Sequence, residues 1–393
     1  MSDRLILGTR KGTFILEKKD GRWQHVHRGH GGANIAYAAQ DPRTGTIWSM
    51  IDHGHWGSKV SHSKDGGKTW EEAGQVKYPE GARHQEFAMS EPPEGEEPPP
   101  QKIHDSKVLK LWYVEFGTED QPGRLYIGTI PGGLFVSDDD GKSWELNRPL
   151  WNHESRGGDL FDGKKPTGPT LWFGTPASMG TGEFAPGICS ILPNAKDGNH
   201  VRLAVGCAGA IETKDGGKTW QGRNKGMIVD FLPNKEPEWG HDIHFMAQCK
   251  NDPNHVWHQN HMGVYYSDNG MESWKKVDDT DKGVNFGWPI CVDENDGKTA
   301  WVVPQVSDQN RVAINEGLFV ARTKDGGESW EQLREGLPQE HVFDTVYRHA
   351  FHNKEGKLAF GSTNGNLYLS EDSGESWQTL GNNLPPIHSV RFA

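Results

Sequence analysis

Six copies of an eight-residue motif recur along this chain of 393 residues: SKDGGKTW at 63–70, SDDDGKSW at 137–144, TKDGGKTW at 213–220, SDNGMESW at 267–274, TKDGGESW at 323–330 and SEDSGESW at 370–377. Repetition at intervals of roughly 50 residues in strand-rich sequence restricts the fold to arrays of one supersecondary unit, since each unit buries its apolar face only against its neighbours. The common pattern is Ser/Thr-x-Asp-x-Gly-x-x-Trp. An Asp such as Asp65 or Asp215 can accept hydrogen bonds from the amides that follow it, and Gly67 or Gly217 supplies the left-handed backbone of a tight turn. The Trp carries a large apolar area into the next strand. No copy has the D-x-D-x-D-G run and distal Glu of a calcium loop, so the motif reads as a hairpin staple.

This motif is the Asp-box, or BNR repeat, and the chain resembles the Asp-box propellers, of which sialidases are the best-known members. The copy at 267–274 departs from the pattern, with Asn269 in place of Asp and Met271 in place of the second Gly, which predicts a looser turn. A decayed unit, EKKDGRW (17–23), keeps Gly21 and Trp23 and brings the total to seven.

Each unit divides into four short strands; in the second these are NIAYAAQ, TIWSMID, SKVSHSK and TWEEAG. The first unit lacks an innermost strand, and the terminal segment HSVRFA has the pattern to supply it. The expectation is an all-β, seven-bladed propeller of four-stranded blades. Its C-terminal strand would pair into the N-terminal blade and close the ring, leaving no open sheet edge. Seven such blades use residues 1–393 as one domain.

A formal net charge of −12 with no basic stripe argues against nucleic acid or an anionic membrane as a partner. No segment reads as an apolar span, and the first strand begins within a few residues of Met1, which predicts a cytoplasmic protein without a leader. Cys189, Cys207, Cys249 and Cys291 show no metal-ligand spacing and read as buried free thiols. Monomer or dimer is the expected assembly.

In a four-stranded blade the loop from second to third strand and the loop into the next blade share one face, whereas the Asp-boxes occupy the other. Chemistry is therefore expected away from the repeats. Two inter-blade connections are long, about 75–106 with the stretch EPPEGEEPPP, and about 148–186 with Trp151, His153, Arg156, Asp159 and Trp172. Nineteen histidines are about twice an ordinary share, and many fall in the predicted face loops or beside inner strands, among them His30, His104 and His388. His53 and His55 (DHGHWGSK) and His258 and His261 (HQNHMG) are assigned to second-to-third strand loops, with His241, His244 and His341 leading into inner strands.

Two chemistries suit this set. His53, His241, His244 and His258 could hold a divalent transition metal, Zn or Mn, with carboxylates such as Asp52, Asp105 or Asp242 completing the shell. Alternatively, His55, His261 and His341 shuttle protons beside Glu115 and Asp344. Arg10, Lys59 and Arg311 in face loops, and Arg348 on an inner strand, are candidate anchors for a substrate anion. Trp56 and Trp288, like Trp151 and Trp172, offer flat faces for a sugar ring.

Sialidase chemistry needs an arginine triad, a Tyr-Glu nucleophile pair and an Asp acid/base. The Arg-Ile-Pro signature of that family is absent from GTRKGTF, so exo-α-sialidase activity is not expected. A closer resemblance runs through LILGTRKGTFIL, DFLPNKEPEWGHDIHFMA, QNHMGVYYSD, FGWPI, PQEHVFDTVYRHAF and LPPIHSVRFA. These segments look like soluble bacterial proteins described as exo-α-sialidase-like or BNR glycosyl hydrolase-like. That resemblance implies the fold and leaves the activity open. The expected function is a hydrolase or lyase acting on a small polar, carbohydrate-like or carboxylated molecule; the alternative is a non-catalytic propeller that binds a glycan or a protein.

Overall fold

The computed structural model describes residues 3–55, 57–87, 101–173, 186–230 and 232–393. EPPEGEEPPP (91–100) and Trp56 lie outside them. Seven four-stranded antiparallel sheets follow one another along the chain, which makes the protein an all-β, seven-bladed propeller. The blades fall into two compact units, one of blades 1, 2, 5, 6 and 7 and the other of blades 3 and 4.

In the larger unit, blade 1 runs from Ile387–Phe392 through Arg4–Thr9 and Gly12–Lys19 to Arg22–Gly29. The C-terminal strand is thus the inner strand of the N-terminal sheet, in the register Leu5 to Phe392, Ile6 to Arg391 and Leu7 to Val390. Ser389 explains why this segment suits that place. Its hydroxyl is fully buried and accepts from the N–H of Gly8 at 3.2 Å and of Ala38 at 3.1 Å, which ties blade 1 to blade 2. Arg391 adds donations from Nε to Tyr37 Oη and from Nη1 to the carbonyl of His349. A core of Leu5, Leu7, Leu16, Leu367, Leu369, Ile387 and Val390 fills the space beside it.

Blade 5 comprises Ile243–Gln248, Val256–Asn260, Gly263–Ser267 and Lys275–Lys276 from inner to outer strand, and blade 6 Gly287–Val292, Ala300–Pro304, Val320–Thr323 and Glu331–Leu333. Blade 7 follows with Phe351–Lys354 as its inner strand. The inner strands of blades 5 and 6 share an irregularity: the register slips between Ile243 and Phe245, and between Gly287 and Ile290. A bulge of this kind re-aims the side chain it contains.

In the smaller unit, blades 3 and 4 begin with Lys110–Phe116 and Gly187–Asn194. The connection at 148–173 is packed rather than open. The Arg156 guanidinium lies between the rings of Trp151 and Trp172, at 3.8 and 4.3 Å from their centres, and donates to the carbonyl of Gly132. Trp151 and Trp172, expected to offer faces to a sugar ring, are instead buried in a small core of this segment's own.

The Asp-boxes behave as staples. In the first, Asp65 accepts from the N–H of Lys68 and Thr69 and from the Thr69 hydroxyl, and the Gly67 N–H donates to Ser63 Oγ at φ +95°. The Thr219 hydroxyl and N–H hold the Asp215 carboxyl down at about 2 in the same way. In the copy at 267–274 the turn survives, with Met271 taking φ +71°, while the Ser273 N–H to Asn269 bond is 3.2 Å against 2.9 Å for Ser143 to Asp139. All four cysteines are buried and free.

Two outcomes follow. Ser389→Ala strands two buried N–H groups and is expected to cost about 2 kcal/mol, read as a lower denaturation midpoint in urea. Burial pushes the His30 imidazole from 6.5 to about 4, where it bonds the hydroxyls of Thr13 and Ser61. Between these values the unfolded chain binds a proton that the folded chain refuses, so stability falls as pH drops from 6.5 towards 4 and is unaffected by His30 above that window. Urea midpoints at pH 7 and pH 5 should differ less in His30→Gln than in the parent.

Candidate functional site

The bulges of blades 5 and 6 bring His244 and Trp288 together. Their rings stack at 4.2 Å with an interplanar angle of 29°. His244 Nδ1 lies 2.6 Å from the carbonyl oxygen of Gly287, which can only accept, so Nδ1 carries the proton and Nε2 keeps its lone pair. His261 stands with its ring edge-on to His244 at 6.0 Å and to Phe286 at 5.9 Å. Its position follows from local chain chemistry: Asn260 Oδ1 accepts from the Met262 N–H at 2.9 Å, bending the chain into a two-residue turn that puts His261 at its tip.

Blade 6 contributes its loop from second to third strand. Asp308 Oδ2 lies 3.7 Å from His261 Nε2, within ion-pair range for a protonated ring, and both side chains are partly exposed. Arg311 Nε donates to the Asp308 carbonyl at 2.9 Å, while the Thr345 hydroxyl donates to the Arg311 carbonyl at 2.7 Å. The guanidinium of Arg311 is then 5.1 Å, and that of Arg348 4.8 Å, from the centre of the Trp288 ring. Trp288 Nε1 donates to Gln305 Oε1. One indole therefore carries a histidine stacked against it and two cations close to its π-system.

Beside His261 opens a cavity of about 340 Å³, at the lower end of the range for small-molecule sites. A larger hollow of about 730 Å³ in the smaller unit runs among the Asp-box turns of blades 3 and 4. Its polar groups are already engaged: Arg124 pairs with Asp138, Arg148 lies over the Phe161 ring, and Asp139 is capped by Ser143.

Of the residues proposed from the sequence, His244, His261, Trp288, Arg311 and Arg348 meet here. His244 and His261 bring ring nitrogens within 4.8 Å of one another, as a shared metal ion requires, while Asp242 accepts from the Cys207 N–H at 3.2 Å in the smaller unit. Others lie differently from expectation. His258 is a strand residue, fully buried, stacked on Tyr265 at 4.9 Å and edge-on to Trp274, because the turn begins later than the alternation suggests. Lys59 and His53 also belong to strands; Lys59 reaches Glu72 at 2.5 Å, and His53 Nδ1 accepts from the His55 N–H. Arg348 occupies a turn ahead of the inner strand of blade 7.

His341 is exposed and 3.3 Å from Glu316, whereas Asp344 is buried and accepts from Asn366 Nδ2 at 2.8 Å. Arg10 and His55 sit in exposed turns. In the smaller unit, His241 is buried with Nε2 2.8 Å from the Pro237 carbonyl, and Glu115 accepts from Tyr113 Oη and the Phe116 N–H. Sequence reasoning missed Phe286 and Asp308. Phe286 lies in FGWPI, a segment already singled out, and Asp308 in the loop that carries Arg311, but nothing in their spacing shows that they face His261.

These features define a seven-bladed propeller with Asp-box turns, similar in fold to a GH74 enzyme and to a lactonase-like propeller. No family model and no curated protein matches the sequence. Among solved structures, an ancestral GH74 enzyme has TM-score 0.53 and 16% identity over 88% of this chain, which spans 38% of that enzyme's length. A Bacteroides fragilis protein provisionally called a 6-phosphogluconolactonase has TM-score 0.54 and 11% identity, covering 99% of this chain and 97% of its own. YCF48 from Cyanidioschyzon merolae has TM-score 0.49 and 13% identity, covering 93% and 88%. At these identities the likeness is one of fold.

The Gly287 bond predicts that neutral His244 is the Nδ1-protonated tautomer at pH 7.5. Ring ¹⁵N shifts of labelled protein should show a protonated Nδ1 and an unprotonated Nε2; the reverse pattern would contradict this geometry.

Proposed function

We propose that the protein is an enzyme of hydrolase or lyase type, acting on a small polar substrate at the cleft beside His261. The observation that carries this reading is a proton-transfer group at the cavity edge, His261, paired with Asp308 and backed by an oriented second histidine, His244. His261 is the acid/base, and Asp308 stabilises its protonated form once it has taken a proton. Trp288, buried with His244 stacked on it, holds that ring and the two guanidinium groups in place. Arg311 and Arg348 bind a carboxylate, or the negative charge that develops as a C–O bond is broken.

Where His261 ligates instead of shuttling protons, the cofactor that suits this site is a divalent Zn or Mn ion on His244 and His261. The carbonyl bond on Nδ1 of His244 is the outer contact that commonly fixes a metal-binding imidazole. A bound ion would supply Lewis acidity and a more acidic water. Cytoplasmic location and a monomeric or dimeric state complete the proposal.

The test combines elemental analysis with turnover of lactone, ester and glycoside substrates. His261→Gln should lower kcat by about 10²–10⁴-fold with the fold intact, and Arg311→Ala should chiefly raise KM. A protein that keeps full ligand affinity in His261→Gln, loses it in Arg311→Ala and turns over none of the substrates is a binding module.

A further inference from the structure

In the smaller unit, Arg156 is a buried charge without a counter-charge. Only 7% exposed, its guanidinium lies between the buried rings of Trp151 and Trp172, and Nη1 donates to the Gly132 carbonyl. Among the described residues, Nε and Nη2 donate to nothing and no carboxylate pairs with the group. Burial pulls its pKa from 12.5 down to about 10, with only the Tyr78 phenol opposing that shift. Acids of the surrounding chain are turned elsewhere: Glu86 lies 2.6 Å from His104 Nε2, and Asp159 is bound by Lys164. A charge so deeply placed is ordinarily paired. Nε and Nη2 are not sealed from solvent either, unlike the partnerless indole nitrogen of Trp144 in the same unit. Together they form the side-on edge of the fork, which matches the two oxygens of a carboxylate.

The ribbon of Arg83–Gln85 and Ile103–Asp105 registers the same uncompensated charge. Its Gln85 amide, in the orientation its acceptors require, donates to the carbonyl of Arg156 at 3.3 Å. Next to it His84, 8% exposed, stands edge-on to Trp151 at 6.3 Å with Nδ1 2.9 Å from Ser106 Oγ. Burial, and after it the charge of Arg156, hold this imidazole down from 6.5 to about 3. Among the described residues His84 Nε2 has no partner. One bare cation and one unmade ring nitrogen therefore flank the Trp151 indole.

We propose that the open edge of Arg156 is a receptor for the carboxylate of a small organic acid. Nε–H and Nη2–H donate side-on to its two oxygens, in the plane that the indoles of Trp151 and Trp172 impose on the guanidinium. One negative charge neutralises the site. A planar monoanion satisfies both the fork and the charge, whereas a phosphate dianion brings a tetrahedral shape and a surplus charge. The site lies within the smaller unit and does not rest on the enzyme reading of the cleft beside His261.

The experiment is calorimetric titration of the full chain at pH 7.5 in Tris buffer with acetate, lactate and benzoate, and with acetamide and inorganic phosphate as comparators. At least one carboxylate should bind saturably, and acetamide and phosphate at least tenfold more weakly. Arg156→Lys keeps the charge but loses the fork, and should weaken the acid at least tenfold. Arg311→Ala, in the larger unit, should leave it unchanged. A second measurement needs no Arg156 variant: the His84 ring signals in NMR spectra of the parent, assigned by their loss in His84→Gln, should move with the midpoint of the titration. No carboxylate binding up to 50 mM, phosphate binding as tightly, affinity unchanged in folded Arg156→Lys, affinity lost in Arg311→Ala, or His84 signals that stay still at saturation would each overturn the proposal. Turnover at the cleft, present or absent, bears only on the enzyme reading.

Discussion

The seating of Ile387–Phe392 as the inner strand of the first blade is the constraint on which the larger unit depends. A single hydroxyl, that of Ser389, takes hydrogen bonds from two blades at once. Arg391 on the same strand reaches Tyr37 of blade 2 and the chain ahead of blade 7. Burying a guanidinium is costly unless its N–H groups are paired, and here the pairing itself joins neighbouring sheets. Because the first and last parts of the chain share one sheet, the loops of blades 5, 6 and 7 hang from a scaffold whose ends are fastened.

On that scaffold the site uses a register slip that the inner strands of blades 2, 3 and 4 also carry. His244 and Trp288 lie in inner strands that should alternate simply, yet a bulge in each turns the two side chains against one another. The Asp-box turns do the reverse: their carboxylates are spent on their own backbone, and Asp139 and Asp215 sit at about 2 because hydroxyl and amide donors hold the charged form. The repeats thus stabilise hairpins, and the chemistry is left to loops that are free to differ from blade to blade.

Much of the fold was legible in the sequence because its causes are local. Asp, Gly and Trp at fixed spacing dictate a hairpin, and HSVRFA has the alternation of an inner strand. The site was legible only in part. Histidine abundance pointed to His244 and His261, yet also to His258, which a shift of the turn by a few residues places in the core against Tyr265. Lys59 was misplaced for the same reason, its strand beginning at Gly57. Strand bulges and the pairing of His261 with Asp308 depend on packing between blades, which no periodicity in one strand reveals.

The most direct measurement is the footprint of a ligand at the cleft beside His261. Hydrogen exchange of the full chain, with and without a saturating substrate taken from the turnover screen, should show new protection at 260–263, 285–288 and 305–311, with the Asp-box turns at 65–69, 139–143 and 215–219 unchanged. Protection confined to those turns, with the loops of blades 5 and 6 unaffected, would contradict the account.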